Sequence, residues 1–236
     1  MISVIIPAYN EEALLAATLA AVRHAANAAA APYEIIVVDD GSTDRTVEIA
    51  REQGAAVVSV AVRQIAAARN AGARIARGDL LVFVDADTLI SPEVLHAAIE
   101  AVAAGAVGGG AGATQDTNDP RWGPPLLAFV TFLMRQAKWA AGCFMFVRRD
   151  VFERVGGFDE RYFASEEIHL SRAVKRHGPF VIVREKVITS GRKGRMLSPR
   201  RILGQIALTF LPGTLKKRER LDLWYGGDRE RKKDER

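Results

Sequence analysis

The stretch Ile35-Ile36-Val37-Val38-Asp39-Asp40-Gly41-Ser42-Thr43-Asp44 decides the fold. Its first four residues are apolar without alternation, the pattern of a strand covered on both faces in a parallel sheet. Two acids end the run, Gly41 offers a turn, and Ser42 or Thr43 stands where the next helix needs a cap. Working outward, the same unit repeats. Apolar runs at residues 2–6, 57–60 and 80–84 alternate with segments of helical spacing at 12–24, 43–53 and 65–77, the last two closed by Gly54 and Gly78. Strand and helix in alternation predict an α/β fold, an open and mostly parallel twisted sheet flanked by helices.

Further along, Ser91-Pro92-Glu93 opens a helix with Ser91 as N-cap and Pro92 in the first helical position, running to about residue 104. The glycines of 105–112 lack the Lys and Ser/Thr of a phosphate loop and read as close packing around a strand. Residues 122–138 have helical character, 142–147 read as a strand, and 165–177 as a helix closed by Gly178-Pro179. The pattern divides the chain into a domain at 1–195, an amphipathic helical appendage at 196–227 and a charged tail at 228–236 too polar to order itself.

With 236 residues, 49% hydrophobic and 26% charged, the chain can bury a core without disulfides. Cys143 is the single cysteine, which excludes an internal disulfide and a cysteine-rich zinc site and fits a reducing compartment. Residues 1–7 read as a strand rather than a secretion signal, and no apolar run reaches the ~18 residues of a membrane span, so a cytoplasmic location is expected. The net charge of +5 is uneven: residues 184–236 hold 16 Lys or Arg against 7 Asp or Glu, which leaves the first 183 at −4. That basic excess flanks the apolar spacing of Ile202, Leu203, Ile206, Phe210 and Leu211. It suits an anionic membrane surface met through 202–220, at the inner face of the membrane, or a helix packed on the domain or in a homodimer. No nucleic-acid-binding motif is present, and nucleic acid is not an expected partner.

The chemistry lies in where acids fall. Asp39-Asp40 follows one apolar run and Asp85-Ala86-Asp87 another. Open α/β sheets bind ligands beyond the carboxyl ends of their strands, where strand order reverses. Carboxylates gathered on that edge repel one another unless a cation or hydrogen-bond donors share the site. Asp85 and Asp87 stand two apart and can face one ligand together. So few hard oxygens suit Mg²⁺ or Mn²⁺ held jointly with substrate phosphates. A solvated turn with a helix cap is the competing account of both acidic stretches. The four histidines, His24, His96, His169 and His177, have no metal-binding spacing.

Taken in order, Ile5-Ile6-Pro7-Ala8-Tyr9-Asn10-Glu11-Glu12, the Val37–Asp44 segment, Ala68-Arg69-Asn70-Ala71-Gly72 and Asp85-Ala86-Asp87 resemble the family 2 glycosyltransferases, which have the Rossmann-like GT-A fold. The stretch from Gly142 through Glu160 is similar to that family's acceptor-side half, so the resemblance covers roughly 2–192. It implies a nucleotide-sugar-binding half at 1–112 and an acceptor half at 113–195. It further implies transfer of a sugar from a nucleoside-diphosphate sugar to a hydroxyl of a lipid carrier, glycan or small molecule, with inversion. Pro7, Ala8, Tyr9 and Glu11 would line the nucleoside pocket, Asp39 would bind the base, and Arg69 would sit near the nucleotide. Asp85, with Ala86 beside it, would contact ribose or sugar, and Asp87, helped by Asp85, would hold the metal against the diphosphate.

The family's base is usually the Asp of a Glu-Asp pair at a helix start; here Glu166-Glu167 stands in that place. Glu167 is the expected base and Glu166 the second choice, although acids in a first helical turn also suit the helix dipole. Arg192 lies in a glycine-rich basic loop suited to clamp a diphosphate, where many members of the family carry a histidine. Two alternatives stand beside the transferase: a sugar-1-phosphate nucleotidyltransferase, and a non-catalytic nucleotide-sugar-binding protein. The first would need a Gly-rich, Arg-containing loop after the first strand, which Pro7–Glu12 is not.

Overall fold

The computed structural model describes residues 1–115, 132 and 135–191. The alternation read from the sequence is the architecture: β1 (Ile2–Ala8), α1 (Leu15–Ala28), β2 (Tyr33–Asp39), α2 (Thr46–Glu52), β3 (Ala56–Ser59), α3 (Ile65–Ile75) and β4 (Leu80–Val84) follow one another. Then come β5 (Thr88–Leu89), α4 (Pro92–Ala103), β6 (Gly108–Gln115), β7 (Phe144–Arg148), α5 (Arg149–Arg154), α6 (Glu166–Val174) with a 3₁₀ turn at Lys175–His177, and β8 (Phe180–Thr189). One sheet holds the strands in the order β3-β2-β1-β4-β7-β6-β8-β5. The pairs β1/β2, β1/β4, β2/β3 and β6/β8 are parallel, and β7 and β5 run against their neighbours, so six of the eight strands share one direction.

Why these runs had to be continuous is visible in the two cores. Along β1, Val4 and Ile6 face α1, α2 and α4, while Ile5 faces the side of α3, α5 and α6. In β4, Val82 and Val84 go to the first layer, Leu81 and Phe83 to the second. Both faces are covered, so inward positions are apolar; the buried Ser3 of β1 is the exception, and its hydroxyl donates to Glu34 Oε1 and accepts the Gly78 amide. The second layer centres on Phe83, whose ring lies 5.4 Å from Phe152 and 4.9 Å from Phe158.

Two glycines set the layer spacing. A Cβ on Gly72 would stand 2.5 Å from Ile5 Cγ2, so α3 rides close on β1. On Gly109 it would stand 2.0 Å from the Val181 carbonyl, which makes that glycine the condition for pairing β6 with β8.

Three elements were not legible as such: β8, β5 and α5. The charges Arg184, Glu185 and Lys186 interrupt β8, whose outer face is partly open, so it lacks the continuous run that marks the inner strands. Helix α2 begins at Thr46 with Arg45 in the cap position rather than at Ser42 or Thr43. Ser91 does precede α4, with Pro92 in the first turn, but makes no side-chain cap bond. No helix among the described residues is long and apolar enough to cross a membrane. The expected helix at 122–138 falls largely outside the described residues; the appendage at 196–227, its membrane segment 202–220 and the tail at 228–236 fall wholly outside them.

Candidate active site

The chain leaves β1 for β2 and β3 on one side, and returns to β4 on the other. The sheet order therefore reverses between β1 and β4, and a crevice opens beyond their carboxyl ends. Ala8 is level with Asp39 in the β1/β2 register, and Asp85 follows Val84 directly at the end of β4. The acids lie on one rim as expected, but they do not meet at one point. Because β1 separates β2 from β4, Asp39 and Asp85 stand about 10 Å apart at ~4.8 Å per strand. That span suits an extended ligand rather than a single ion.

The donor side of the rim is built by two interlocked loops. Asn10, with φ 51°, donates its amide to Ser42 Oγ at 2.9 Å and accepts the Thr43 amide on Oδ1 at 2.8 Å. Next to it, the Glu11 amide donates to Thr46 Oγ1, and the Arg45 amide donates to Glu12 Oε2. Ser42 thus secures the β1 loop instead of capping α2. Pro7 and the buried Ala8 end β1, Tyr9 carries the Arg63 guanidinium 3.6 Å above its ring, and Glu11 is 6% exposed.

The two aspartates of the pair divide their duties. Asp39 is buried and accepts one amide, from Ser42 at 3.0 Å. Asp40 accepts three, from Val62 and Arg63 at 2.8 Å and Gln64 at 2.9 Å. For Asp40 the hydrogen-bond donors that a buried acid requires are the backbone amides at the entrance of α3.

At the end of β4, Arg69 forms the hub. It is 3% exposed, a buried cation rather than a surface charge on α3. Nη1 donates to Glu166 Oε1, and Nη2 donates to both Asp85 Oδ1 and the Gly142 carbonyl, all at 2.8 Å. Burial alone would lower the guanidinium's proton affinity, but Asp85, Glu166 and Glu167 outweigh it and hold its pKa above the ordinary value. Glu166, 4% exposed, is pushed up by burial against the pull of Arg69. Glu167 is half-buried, opens on the same space, and is pushed up to about 8 by burial and then by the neighbouring Glu166 charge. A Cβ on Gly142 would stand 3.4 Å from Arg69 Nη2 and 3.7 Å from Glu167 Cδ, ordinary van der Waals distances that place this backbone directly against both groups. Ser165 precedes the pair with φ 60°, a left-handed conformation that a non-glycine residue adopts only when its surroundings enforce it.

Asp85 and Asp87 both act on the Cys143 thiol, which burial and then these two carboxylates push up to about 12. They therefore concentrate negative potential at one spot beyond β4. Among the described residues no group of three or more His, Cys, Asp or Glu could hold a metal by itself. Two carboxylates fit the sparse protein share of a Mg²⁺ or Mn²⁺ site completed by phosphate and water. Ala86 is buried, and its carbonyl accepts the Thr18 hydroxyl at 2.8 Å, which fixes the turn between the two acids. Arg192 lies outside the described residues. Two cavities lie away from this rim, of about 390 Å³ beside Asn70 and Phe152 and of about 810 Å³ at the opposite edge near Met1 and Val102.

Sequence reading overlooked Asn70, Gly142 and Arg63. Asn70 Nδ2 donates to the Phe158 carbonyl and to Glu160 Oε1, both at 2.9 Å, and Oδ1 accepts the Phe158 amide at the same distance. Its signal was present in Arg69-Asn70, two polar side chains in an Ala-rich helix, which only burial explains.

A model described as Glycosyl transferase family 2 matches residues 3–156, and the chain belongs to that family. It is 38% identical over 112 residues to an undecaprenyl-phosphate 4-deoxy-4-formamido-L-arabinose transferase of Aeromonas hydrophila, a match covering 44% of this chain and 34% of that protein. The chain thus spans about a third of that curated relative. Its fold is that of a Pyrobaculum calidifontis mannosyltransferase solved with GDP-Man and Mn²⁺, with TM-score 0.66, 23% identity and coverage of 95% of this chain and 68% of the other. The S. aureus TarS fragment in complex with UDP-GlcNAc is similar at TM-score 0.63 and 19% identity, covering 89% and 67%.

Proposed function

We propose that the chain is a glycosyltransferase that moves a sugar from a nucleoside-diphosphate sugar to an acceptor hydroxyl with inversion. The observation that carries the reading is the Arg69 cluster, which brings Glu166 and Glu167 to the rim occupied by Asp85. Glu166 is engaged by Arg69, so Glu167 is the base. Its raised pKa suits proton abstraction near neutral pH. The acceptor O–H proton passes to the Glu167 carboxylate as the acceptor oxygen forms its bond to the anomeric carbon. The bond from that carbon to the phosphate oxygen breaks, and its electron pair leaves with the nucleoside diphosphate. Attack opposite the leaving group inverts the centre.

Asp87, with Asp85 beside it, would hold Mg²⁺ or Mn²⁺, whose charge offsets that of the departing diphosphate. Pro7, Ala8, Tyr9, Glu11 and Asp39 line the nucleoside side, where Asp39 has one amide partner and keeps acceptor capacity for a base N–H. The structures named above hold GDP-Man or UDP-GlcNAc, and the curated relative is named as an undecaprenyl-phosphate transferase; this chain is assigned the shared class, a nucleotide-sugar donor, with a hydroxyl acceptor.

Thermal shift with UDP or GDP, with and without Mn²⁺, tests the donor site. Ligand at 100 times its Kd stabilises by about 2.7 kcal/mol, hence about 5–10 °C in a domain of this size. Asp87→Ala should remove the Mn²⁺-dependent part of the shift. An unchanged Mn²⁺ effect in that variant would sink the assignment, and pyrophosphate release from a nucleoside triphosphate would mark a nucleotidyltransferase instead.

A further inference from the structure

Arg69 reaches three separate elements: the end of β4 through Asp85, the first turn of α6 through Glu166, and the Gly142 carbonyl before β7. Its side chain is 3% exposed, so its guanidinium has no open face for a phosphate or base. Its Nε is buried with no hydrogen-bond partner among the described residues. An arrangement serving stability alone would satisfy that donor; this one keeps the cation in place at the expense of an unpaired N–H. The rest of α3 continues the same bracket. Gln64 donates to the Glu160 and Tyr162 carbonyls, and Asn70 holds Phe158 and Glu160. Asp40, at the end of β2, fixes the amides where that helix begins. One rigid helix thereby ties the donor rim to the segment 158–167.

We propose that Arg69 is a positioning residue: it sets Glu167 at a fixed distance from Asp85 and does not contact the nucleotide. This rests on the transferase reading above and deepens it. Glu166 and Glu167 are adjacent in one helical turn, so the ion pair to Glu166 orients the base through the backbone. The left-handed Ser165 makes that turn dependent on its anchor. A misplacement of about 1 Å lowers a rate by about 10²-fold.

The test uses Arg69→Lys and the charge-matched pair Arg69→Met with Glu166→Gln, which removes both partners of the ion pair. Nucleoside diphosphate release is followed from UDP-glucose, UDP-GlcNAc and GDP-mannose with Mn²⁺, and UDP and GDP binding is titrated. Both variants should lose about 10²-fold in kcat while the nucleotide Kd holds within about threefold, well under the tenfold that 1.4 kcal/mol represents. Amide exchange at 165–169 should quicken about tenfold in Arg69→Lys, the signature of a loosened first turn. A tenfold weaker nucleotide with unchanged kcat would overturn the proposal by making Arg69 a ligand. Recovery of kcat together with Tm in the double variant would overturn it by making the role structural. If the wild type releases nothing from any donor, the transferase reading fails, and the exchange experiment alone still decides whether Arg69 orders that turn.

Discussion

Asp40→Ala is expected to damage the fold, and Asp39→Ala the function, although the two residues are neighbours. Asp40 receives amides from Val62, Arg63 and Gln64. After truncation the Val62 amide can turn to water, since that residue is 49% exposed, and the half-buried Arg63 can do so in part. Each such exchange costs about 0.5–1 kcal/mol. Gln64 is 9% exposed, so its amide is stranded at about 1–3 kcal/mol. The sum is about 3 kcal/mol, or about 9 °C in Tm for a domain of this size. Asp40→Asn keeps one accepting oxygen but turns an NH₂ toward the Gln64 amide, and should fall between, near 5 °C. Asp39→Ala loses one amide and about 1 kcal/mol. Melts followed by circular dichroism at one protein concentration, with UDP and GDP titrations alongside, separate the two. The reasoning is refuted if Asp40→Ala melts within 2 °C of wild type (roughly the scatter between preparations), or if Asp39→Ala proves the less stable of the pair.

Glu167, pushed up to about 8 from its ordinary 4.5, binds its proton more tightly in the native state. The stability it confers is complete below about pH 4.5 and lost as the pH rises through about 8. Glu167→Gln should therefore flatten the alkaline fall of Tm, and parallel Tm curves would contradict it. Wild-type kcat/KM should climb to a plateau above about pH 8, with the variant at least about 10²-fold slower. Gly142→Ala sets a methyl at ordinary contact distance, 3.4 Å from Arg69 Nη2 and 3.7 Å from Glu167 Cδ, so transfer and Tm, read by the same melts, should both stay close to wild type. Gly109→Ala would put a methyl 2.0 Å from the Val181 carbonyl and force β6 from β8, destabilising by about 3 kcal/mol in urea unfolding.

The alternation of strands and helices in a mostly parallel sheet followed from local pattern. Runs such as Ile35-Ile36-Val37-Val38 are apolar because both sheet faces are covered, and that condition leaves its mark on consecutive residues. The placing of Asp39, Asp85 and Asp87 on one rim followed too, because a parallel sheet aligns its strand ends. What lay beyond sequence depended on distant partners. Strand β8 carries charges on an open face and looks like a loop until β6 pairs with it. Asp40 gives no local sign that its carboxylate meets amides at 62–64.

Arg69 shows the division best. The sequence showed a cation in an Ala-rich helix beside a motif it resembled. Only the tertiary fold brings it Asp85 from 16 residues away and Glu166 from 97. Local spacing records which side of an element is buried; it does not record which charge waits on the element packed against it. The sheet and its acidic rim were therefore written in the chain's own periodicity, whereas the partner of each buried charge was fixed by the packing of α3 on β1 and β2 and of the segments around it.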